Sequence, residues 1–498
     1  MTIRLMERQR EIAFRPRGAA RVFLRGGGTV EVPRGARLTV RARATAPAAI
    51  VHQPLLAEVP MADRARLDEV RREWEARGVL VLSRVVGGVY GLGGRVVDNR
   101  RELLLAASDG TEGGARAAVE ELRARHGVRS ALHSEVVARP RGILQLRAEA
   151  GGPLGDADAA LWMEVEGDEG FVVEGVEHER SPTARAREDR AYRGRLYVTL
   201  DATGALAAVH AVSLEELLRG LVPSEMPGGS PLEALKAQAV TARSNVLAQI
   251  ATRHLTDPFM LCAEVHCQAY RGDAARTRRT DEAVRATRGE AIFGRSDRAL
   301  VDAVYSAMCG GHGEHNEDVW GGAPIASLRG RPDLPEREAA RWAGGLSDEA
   351  RLRAFLGQVP DAYCRRPAAA SKDRFRWERR LDPVALGRLL SPLGVGHPKR
   401  LRVVARGISG RAQTLEVEGE TGTREVTGEL RIRRLLGNLP SAMFVVDAAA
   451  GAVVLRGGGW GHGAGMCQWG AVGRAETGQD YREILRAYYS GAEVARVY

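Results

Sequence analysis

The chain has 498 residues, a length that suits about three domains, and its 44% apolar and 27% charged residues are typical of a folded globular protein. This composition excludes collagen and low-complexity disorder, and the lack of any run of about 18 apolar residues predicts no transmembrane segment. The net charge of +10 favours an anionic partner such as nucleic acid, an acidic membrane surface or an acidic wall polymer, but a solvated basic surface explains it equally well.

The first 140 residues predict two small folded units. Residues 1–45 alternate apolar and polar positions around a glycine-rich turn, which indicates a small β unit. Residues 46–140 predict the order βαββαβ, with helices near 61–77 and 114–125, and this order fits a ferredoxin-like unit. The charged N-terminus, MTIRLMERQREIAFRPRG, lacks the apolar centre of a signal peptide.

The rest of the chain predicts a linker followed by a larger region. Residues 141–191 combine β pieces with an Arg-rich stretch, SPTARAREDRAYRG, which we interpret as a loop or linker. In residues 192–498, hairpins and helices alternate without βαβ periodicity, which is typical of the α+β class. The predicted fold class is therefore multi-domain α+β, with a β-rich region that contains one long, motif-bearing helix.

Two helices are predicted between residues 213 and 254, separated by the proline-bounded segment VPSEMP. Ser213 and Ser230 each open a capping box, and Pro231 occupies the favoured first helical position. The second helix, EALKAQAVTARSNVLAQIATRH, has a predicted buried stripe at helical spacing. The stripe consists of Leu235, Ala239, Ala242, Val246 and Ile250.

Three charged side chains of this region are candidates for chemistry. Glu225 lies between two prolines, and a carboxylate held there could act as a general acid. The alternative interpretation is an exposed acid in a turn. Lys236 and Arg243 are seven residues apart on the second helix, so they lie on nearly one face.

A metal site is predicted in the segment HLTDPFMLCAEVHCQAYRG. It combines two thiols and two imidazoles within fourteen residues, namely His254, Cys262, His266 and Cys267. This set matches the ligands of a closed tetrahedral zinc site, although the spacing is not that of a zinc finger. The alternative is a buried thiol pair with satisfied histidines. The five cysteines of the chain, an odd and sparse set, argue against a disulfide framework.

Two further segments combine glycines, polar residues and tryptophans. They are YSAMCGGHGEHNEDVWGG at 305–322 and RGGGWGHGAGMCQWGA at 456–471. In the first, a polar cluster followed by Trp320 is what a sugar-binding groove requires, and in the second, glycines allow the backbone to turn tightly or to approach a ligand closely. The alternatives are a solvated loop for the first and a structural role in a β core for the second. The candidate substrate-binding residues are His312, Glu317, Asp318, Trp320, Trp460 and His462.

The ordered motifs VPSEMP with EALKAQAVTARS, LCAEVHCQAYRG, EDVWGG and GWGHGAGMCQWGA resemble the catalytic domain of the stage II sporulation protein D and amidase-enhancer family. The resemblance covers about residues 192–498. It implies a lytic transglycosylase that cleaves peptidoglycan glycan strands stripped of stem peptides, with Glu225 as the catalytic acid. Lys236 and Arg243 would orient this acid or bind substrate, and the His/Cys set would hold a structural zinc ion. No organic cofactor is expected.

The resemblance also implies a place in the cell envelope or periplasm, peptidoglycan strands as substrate and an amidase as a further partner. The chain departs from the family pattern at Arg243-Ser244-Asn245 and in the loop at 306–309. Retention of Glu225 favours the enzyme, whereas the altered loop favours a non-catalytic wall binder that enhances an amidase. A nucleic-acid binder rests on net charge alone, since no recognition helix or aromatic RNA motif is present, and is not expected.

Overall fold

A computed structural model describes residues 1–92, 94–128, 130–149, 151–181, 184–264, 266–449 and 451–498. Over these residues the chain forms 29 strands and 13 α-helices, and the predicted α+β class is confirmed. The chain divides into two compact units. Residues 1–228, 246–281 and 498 form the first, and residues 229–245 and 282–497 form the second.

The strands are β1 Thr2–Gln9, β2 Glu11–Pro16, β3 Ala20–Leu24, β4 Thr29–Val32, β5 Leu38–Ala46, β6 Ala49–Pro60, β7 Val81–Val86, β8 Val89–Leu92, β9 Arg95–Asp98, β10 Arg101–Ala106, β11 Ala131–Ala138, β12 Arg141–Ala148, β13 Pro153–Asp158, β14 Ala160–Val165, β15 Phe171–Ser181, β16 Ala184–Tyr192, β17 Arg195–Leu200, β18 Leu206–Ala211, β19 Leu261–Cys262, β20 Glu290–Gly294, β21 Tyr305–Ser306, β22 Arg376–Leu381, β23 Pro398–Arg406, β24 Ala412–Gly419, β25 Gly422–Thr427, β26 Phe444–Ala449, β27 Ala452–Gly458, β28 Met466–Cys467 and β29 Ala492–Arg496. The helices are α1 Arg64–Ala76, α2 Glu112–His126, α3 Leu214–Glu225, α4 Leu232–Gln249, α5 Arg278–Ala286, α6 Asn316–Trp320, α7 Glu336–Trp342, α8 Glu349–Gln358, α9 Lys372–Phe375, α10 Pro383–Leu390, α11 Glu429–Leu435, α12 Gln468–Glu476 and α13 Tyr481–Tyr488.

Two large sheets organise the first unit. The seven-stranded sheet has the order β19-β1-β18-β17-β14-β3-β4, and the six-stranded sheet has the order β13-β12-β5-β2-β15-β16. The small β unit predicted for residues 1–45 is not separate: its strands β1–β5 are shared between the two sheets, and each sheet is completed by later strands. Alternating burial along β2 shows why these segments are strands, since Ile12 and Phe14 point into the core.

Residues 49–138 contain the four strands and two helices of the predicted order, with an additional hairpin, β8–β9, inserted between β7 and β10. The four strands form an antiparallel sheet in the order β11-β6-β10-β7. Buried residues of α1 and α2, including Trp74 and Leu122, share one core with Leu104 of β10. The ferredoxin-like assignment and the predicted domain boundaries remain predictions. Gly93, in the segment between β8 and β9, lies outside the described residues.

The Arg-rich stretch that was predicted to be a linker is a strand. Residues 184–192 form β16, which pairs with β15 along its length. Cross-strand charge pairs explain the difference, because Arg187 hydrogen-bonds to Glu177 of β15. Pro182 and Thr183, which precede β16, lie outside the described residues.

Helices α3 and α4 differ from their predictions in two ways. Ser213 caps α3 as predicted, but the helix continues through Pro223, where a break was expected, and ends at Glu225. Proline removes one backbone hydrogen bond and crowds the preceding turn, but only two residues of the helix follow it. The predicted stripe of α4 is buried except at Ile250, yet the other faces of this helix are buried as well.

The second unit contains small sheets around a separate core. Its three-stranded sheets have the orders β22-β27-β26 and β23-β24-β25, and residues such as Leu415, Ile432 and Phe444 form one core beside them. Within the described part of the chain, each helix is too short or too polar to span a lipid bilayer.

Candidate functional site

Glu225 is the last residue of α3, and its half-buried carboxylate contacts the segment that follows β19. Its Oε1 accepts a hydrogen bond from the Ala269 backbone N–H at 2.5 Å. The adjacent Ser224 hydroxyl donates to the Gly220 carbonyl at 2.7 Å and accepts from the Arg271 N–H at 3.1 Å. This segment therefore holds the end of the helix that carries the carboxylate.

Gly220 allows the same segment to approach α3 closely. A Cβ at this position would lie 2.7 Å from Cε2 of Tyr270 and 2.8 Å from the Gly272 carbonyl oxygen. Tyr270 is itself buried, and its hydroxyl pairs with His210 Nδ1 at 3.2 Å. The close contact of Gly220 with residues 270–272 helps to fix the end of α3 that carries Glu225, and any larger residue at position 220 would disturb it.

We expect Gly220→Ala to destabilise the protein by about 1–3 kcal/mol, because the new methyl group overpacks the contact with Tyr270. Gly113→Ala in α2 is the matched control, since no atom lies within 4 Å of its new Cβ. An alanine there should stabilise the helix by about 0.5–1 kcal/mol. Urea unfolding of both variants measures the difference, and equal stabilities would contradict the close packing.

The four predicted metal ligands come together in the first unit. One ligand atom from each of His254, Cys262, His266 and Cys267 lies within 4.8 Å of the others. His254 Nε2 is 3.2 Å from Cys267 Sγ, and His266 Nδ1 is 3.7 Å and 3.5 Å from the sulfurs of Cys262 and Cys267. Nitrogen and sulfur ligands of one tetrahedral zinc ion lie about 3.6 Å apart. The four residues, here called the His/Cys cluster, therefore fit a single ion of this kind.

Hydrogen bonds within the cluster favour the anionic form of Cys262. The hydrogen bond with Cys267 lowers the pKa of the Cys262 thiol, and both imidazoles act in the same direction. Burial opposes charging of His254, but its hydrogen bonds to Asp257 and Cys262 outweigh burial and raise the pKa of this ring to about 9. A thiolate is the form of cysteine that binds metals.

Asp257 completes the cluster and was not predicted as part of it. Its Oδ2 lies 2.9 Å from Nδ1 of His254, on the side of the ring away from Cys267. A carboxylate in this position fixes the orientation and tautomer of a metal-binding histidine. The His-x-x-Asp spacing of HLTD is the signal that could have identified it.

Lys236 and Arg243 occupy different environments although they share one helix. Lys236 forms a 2.7 Å ion pair with Glu233, and its ammonium lies 5.7 Å from the ring centroid of Tyr481. Arg243 is fully buried, and its Nη1 donates to the Glu290 carbonyl at 3.0 Å. The position of Arg243 suits support of the helix better than contact with a ligand.

Two of the polar residues predicted to bind substrate in the 305–322 segment lie inside the second unit, where one is buried and the other forms hydrogen bonds within the protein. His312 is 1% exposed, and burial lowers the pKa of its ring to about 4. Asp318 accepts hydrogen bonds from the Ile408 N–H at 3.0 Å and from the Gln413 amide at 2.6 Å. Asp318 therefore fixes the neighbouring loop.

The remaining candidates of the second unit include its exposed aromatic residues. Glu317 pairs with Arg329, and this hydrogen bond lowers the pKa of the Glu317 carboxyl. Trp320 and Trp460 are 56% and 39% exposed. The ring centroid of Trp320 lies 5.0 Å from that of His462. Trp320, Trp460 and His462 are called the aromatic group below.

His462 is held as a neutral ring. Its Nε2 lies 2.9 Å from the Tyr305 carbonyl oxygen, and its Nδ1 accepts from the Ala464 N–H at 3.1 Å. Burial, with a smaller effect from the charge of Arg411, lowers the pKa of the ring to about 4. Both nitrogens are thus occupied, and the ring presents a fixed face beside Trp320.

Glu314 lies in the predicted polar segment but was assigned no role from sequence. It is 1% exposed, accepts from the Ser409 hydroxyl at 2.6 Å and from the His315 N–H at 3.0 Å. Burial raises the pKa of this carboxyl to about 8. No pattern in the sequence distinguishes this carboxyl from those of Glu317 and Asp318, which are less buried.

Comparison with known proteins supports the resemblance drawn from the motifs. Residues 202–293 match the family model described as Stage II sporulation protein, SpoIID, and residues 314–465 match a domain of unknown function, DUF8618. The first match contains Glu225, Lys236 and Arg243 together with the His/Cys cluster. The resemblance to the stage II sporulation protein D and amidase-enhancer family is therefore confirmed in this segment.

Three curated relatives match more of the chain at modest identity. An uncharacterized protein of Brachyspira hyodysenteriae is 26% identical over 331 residues, which cover 66% of this chain and 75% of the relative. The Amidase enhancer of Bacillus subtilis is 26% identical over 290 residues, 55% of this chain and 39% of that protein. Stage II sporulation protein D of Bacillus amyloliquefaciens is 24% identical over 302 residues, 58% of this chain and 76% of that protein.

Proposed function

We propose that the chain is a peptidoglycan lytic transglycosylase that cleaves peptide-stripped glycan strands between MurNAc and GlcNAc and acts in the cell envelope. The observation that carries the proposal is the position of Glu225. Its carboxylate is held at the end of α3 by the Ala269 N–H, inside the segment that matches the Stage II sporulation protein model.

A single carboxylate is sufficient for this reaction. The protonated Glu225 would donate its proton to the glycosidic oxygen as the bond from this oxygen to C1 of MurNAc breaks. The resulting carboxylate would accept the proton of the MurNAc 6-hydroxyl, whose oxygen attacks C1 and closes a 1,6-anhydro ring. Glu225 ends the cycle protonated, and neither water nor a second carboxylate takes part, unlike in most glycosidases.

The local structure supports both forms of Glu225. The C-terminal end of a helix carries a partial negative charge, which favours a neutral carboxyl at that point. The Ala269 N–H contributes a hydrogen bond that favours the carboxylate. A group that alternates between acid and base needs support of both kinds.

The aromatic group suits the binding of sugar rings. Exposed tryptophan faces pack against the CH faces of pyranoses, and neighbouring polar groups bind hydroxyls. We assign Trp320 and Trp460 to these contacts, with Lys236 as a polar contact. Arg243 and Asp318 would act indirectly, because their side chains form hydrogen bonds within the protein, and His312 would do so because its ring is buried.

We further propose that the His/Cys cluster binds one structural zinc ion. The mixed nitrogen and thiolate ligands suit zinc, and four protein ligands leave no open position for catalysis. Cys267 lies two residues before Ala269, whose N–H holds Glu225. The ion would therefore order the segment that positions the catalytic carboxylate.

Loss of this ion is expected to lower the transglycosylase rate by about 10²-fold, because a displacement of about 1 Å at a catalytic group has effects of that size. The test variant is Cys267→Ala, and Leu255→Ala, an exposed residue of the same loop, is the control. Elemental analysis should find one zinc ion fewer per chain in Cys267→Ala only. A variant that retains both its zinc content and its rate would contradict the assignment.

A second candidate function is supported by the similarity to the Bacillus subtilis Amidase enhancer. In this case the chain would bind the wall without cleaving it and would increase the activity of an amidase partner. The altered loop at 306–309 is compatible with that function, since it lacks hydroxyl and imidazole groups of the family pattern.

Product analysis distinguishes these functions. The purified chain is incubated with intact sacculi and with peptide-stripped glycan strands, and the products are identified by mass spectrometry. Anhydro-ended products, preferentially from stripped strands, are expected for the transglycosylase. Products with free reducing ends would show that the chain hydrolyses the glycosidic bond and is not a transglycosylase. Sacculus binding without products, together with faster release of stem peptides by an added amidase, would establish the enhancer instead.

A further inference from the structure

A second group of potential metal ligands lies within the second unit. Three thiols and one carboxylate, all buried, each offer an atom within 4.8 Å of the others, namely Cys309, Asp333, Cys364 and Cys467. We infer that these residues bind one zinc-class cation in a closed, structural site. This site, here called the thiol site, is separate in sequence from the His/Cys cluster and does not depend on the proposed function.

The measured distances match tetrahedral coordination. Two thiolates bound to one tetrahedral zinc ion lie about 3.8 Å apart, and a thiolate and a carboxylate oxygen lie about 3.5 Å apart. The sulfurs of Cys309 and Cys364 are 3.8 Å apart, and Cys309 Sγ is 3.5 Å from Oδ2 of Asp333. In an iron–sulfur cluster, ligands bound to different iron atoms lie further apart than the 4.8 Å within which all four ligand atoms lie here, so the arrangement fits one ion.

Backbone donors surround the sulfurs as they do in thiolate sites. The N–H groups of Cys309 and Gly470 donate to Cys467 Sγ at 3.1 Å and 3.2 Å. The Gly311 N–H donates to Cys309 Sγ at 3.4 Å. Hydrogen bonds of this kind stabilise a sulfur that carries negative charge.

Asp333 is oriented by groups behind it. Arg474 donates to Oδ1 through Nη2 at 2.8 Å and through Nε at 3.1 Å, and the Tyr488 hydroxyl donates to Oδ2 at 2.9 Å. Oδ2 also faces Cys309, so one oxygen is directed at the sulfurs while the other is held by the guanidinium. Outer partners of this type position the carboxylate ligands of metal ions.

Helix α12 approaches the site through two glycines. A Cβ at Gly470 would lie 2.4 Å from Oδ2 of Asp333, and a Cβ at Gly473 would lie 2.0 Å from the Tyr363 carbonyl oxygen, beside Cys364. Both positions must therefore remain without side chains for the four ligands to converge.

Charge and composition identify the class of ion. A bound cation would stabilise the three cysteines as thiolates beside the Asp333 carboxylate, a set of negative charges that is costly to bury unpaired. Sulfur-rich ligands select zinc or similarly soft ions over magnesium or calcium. Because the ligands are separated by up to 158 residues, from Cys309 to Cys467, the ion would cross-link distant parts of the unit.

The test uses full-length chains in which the His/Cys cluster has been removed by Cys262→Ser and His266→Ala. This background chain is reconstituted with Zn²⁺ alone, and bound zinc is counted by elemental mass spectrometry. We expect one zinc ion per chain, and at least a tenfold lower content when Cys364→Ser is added. Met308→Leu, a buried and volume-conserving change beside Cys309, should retain the ion.

A second measurement applies if Cys364→Ser does not fold. Reconstitution of the background chain with Co²⁺ should produce intense thiolate-to-metal absorption and tetrahedral ligand-field bands, and zinc-edge X-ray absorption should show three sulfurs and one oxygen. No bound metal, zinc that persists in folded Cys364→Ser, or a Cys309–Cys364 disulfide in peptides from the anaerobically purified chain would overturn the site. None of these readouts requires substrate, so failure of the transglycosylase proposal would be a separate result.

Discussion

Glu225→Gln is expected to lower the rate of anhydro-product formation by about 10³- to 10⁴-fold. General acid–base catalysis contributes about 10²- to 10⁴-fold, and here one carboxylate performs both proton transfers, so the loss should fall in the upper part of that range. Glutamine keeps the shape of the side chain and can still accept the Ala269 N–H. Binding to glycan strands should therefore be unchanged while turnover is lost.

Two further variants of α3 make this result specific. Glu215→Gln removes a carboxylate from the first turn of the same helix and should leave the rate unchanged. Glu225→Asp keeps the acid but shortens it by one methylene, which withdraws it from Ala269, and should retain intermediate activity. The rates are measured by mass spectrometry of products from peptide-stripped strands. A Glu225→Gln chain with more than a tenth of wild-type activity would show that another residue is the acid.

Local sequence signals predicted the parts of the site that depend on neighbours along the chain. The Ser213 cap forms as expected, because its hydroxyl accepts the Glu216 N–H three residues later. The residues of the His/Cys cluster lie within one fourteen-residue segment, so their convergence requires closure of only a short loop. In both cases short-range geometry limits the possible structures, so residue type and spacing were sufficient.

The contacts that hold Glu225 and those that form the thiol site could not be predicted from residue type and local spacing. Ala269 contacts Glu225 through its backbone N–H, so its residue type does not predict the contact. The thiol-site ligands come from four distant segments, and no local pattern indicates that Cys309 and Cys467 meet. Arg243 was expected to orient the acid or bind substrate, but its side chain is fully buried, and that burial depends on elements far away in sequence.

Glu314 introduces a pH dependence of stability into the second unit. Burial, assisted by nearby Asp318, raises the pKa of its carboxyl from an ordinary 4.5 to about 8. In the unfolded chain this group ionises near pH 4.5, whereas in the folded chain it keeps its proton until about pH 8. Stability from this group is therefore fully present below pH 4.5 and is lost as the pH rises to 8, by on the order of 5 kcal/mol.

Glu314→Gln should remove this fall in stability, because glutamine stays neutral and can still accept the Ser409 hydroxyl. The free energy of unfolding is measured by urea titration at pH 5, 6, 7 and 8, followed by tryptophan fluorescence, since five of the seven tryptophans lie in residues 282–497. The free energy of unfolding of the variant should change less with pH than that of the wild type over this range, and it should be higher than that of the wild type at pH 8.

Glu317→Gln is the matched control, three residues along the same segment. The hydrogen bond from Arg329 lowers the pKa of Glu317, so its contribution is present above its unfolded pKa and is lost as the pH falls. Its removal should reduce stability at neutral pH and leave the slope between pH 5 and 8 unchanged. If Glu314→Gln also kept that slope, the buried carboxyl would have to be ionised in the folded protein, and the positive charge of Arg411 would then be the partner that stabilises it.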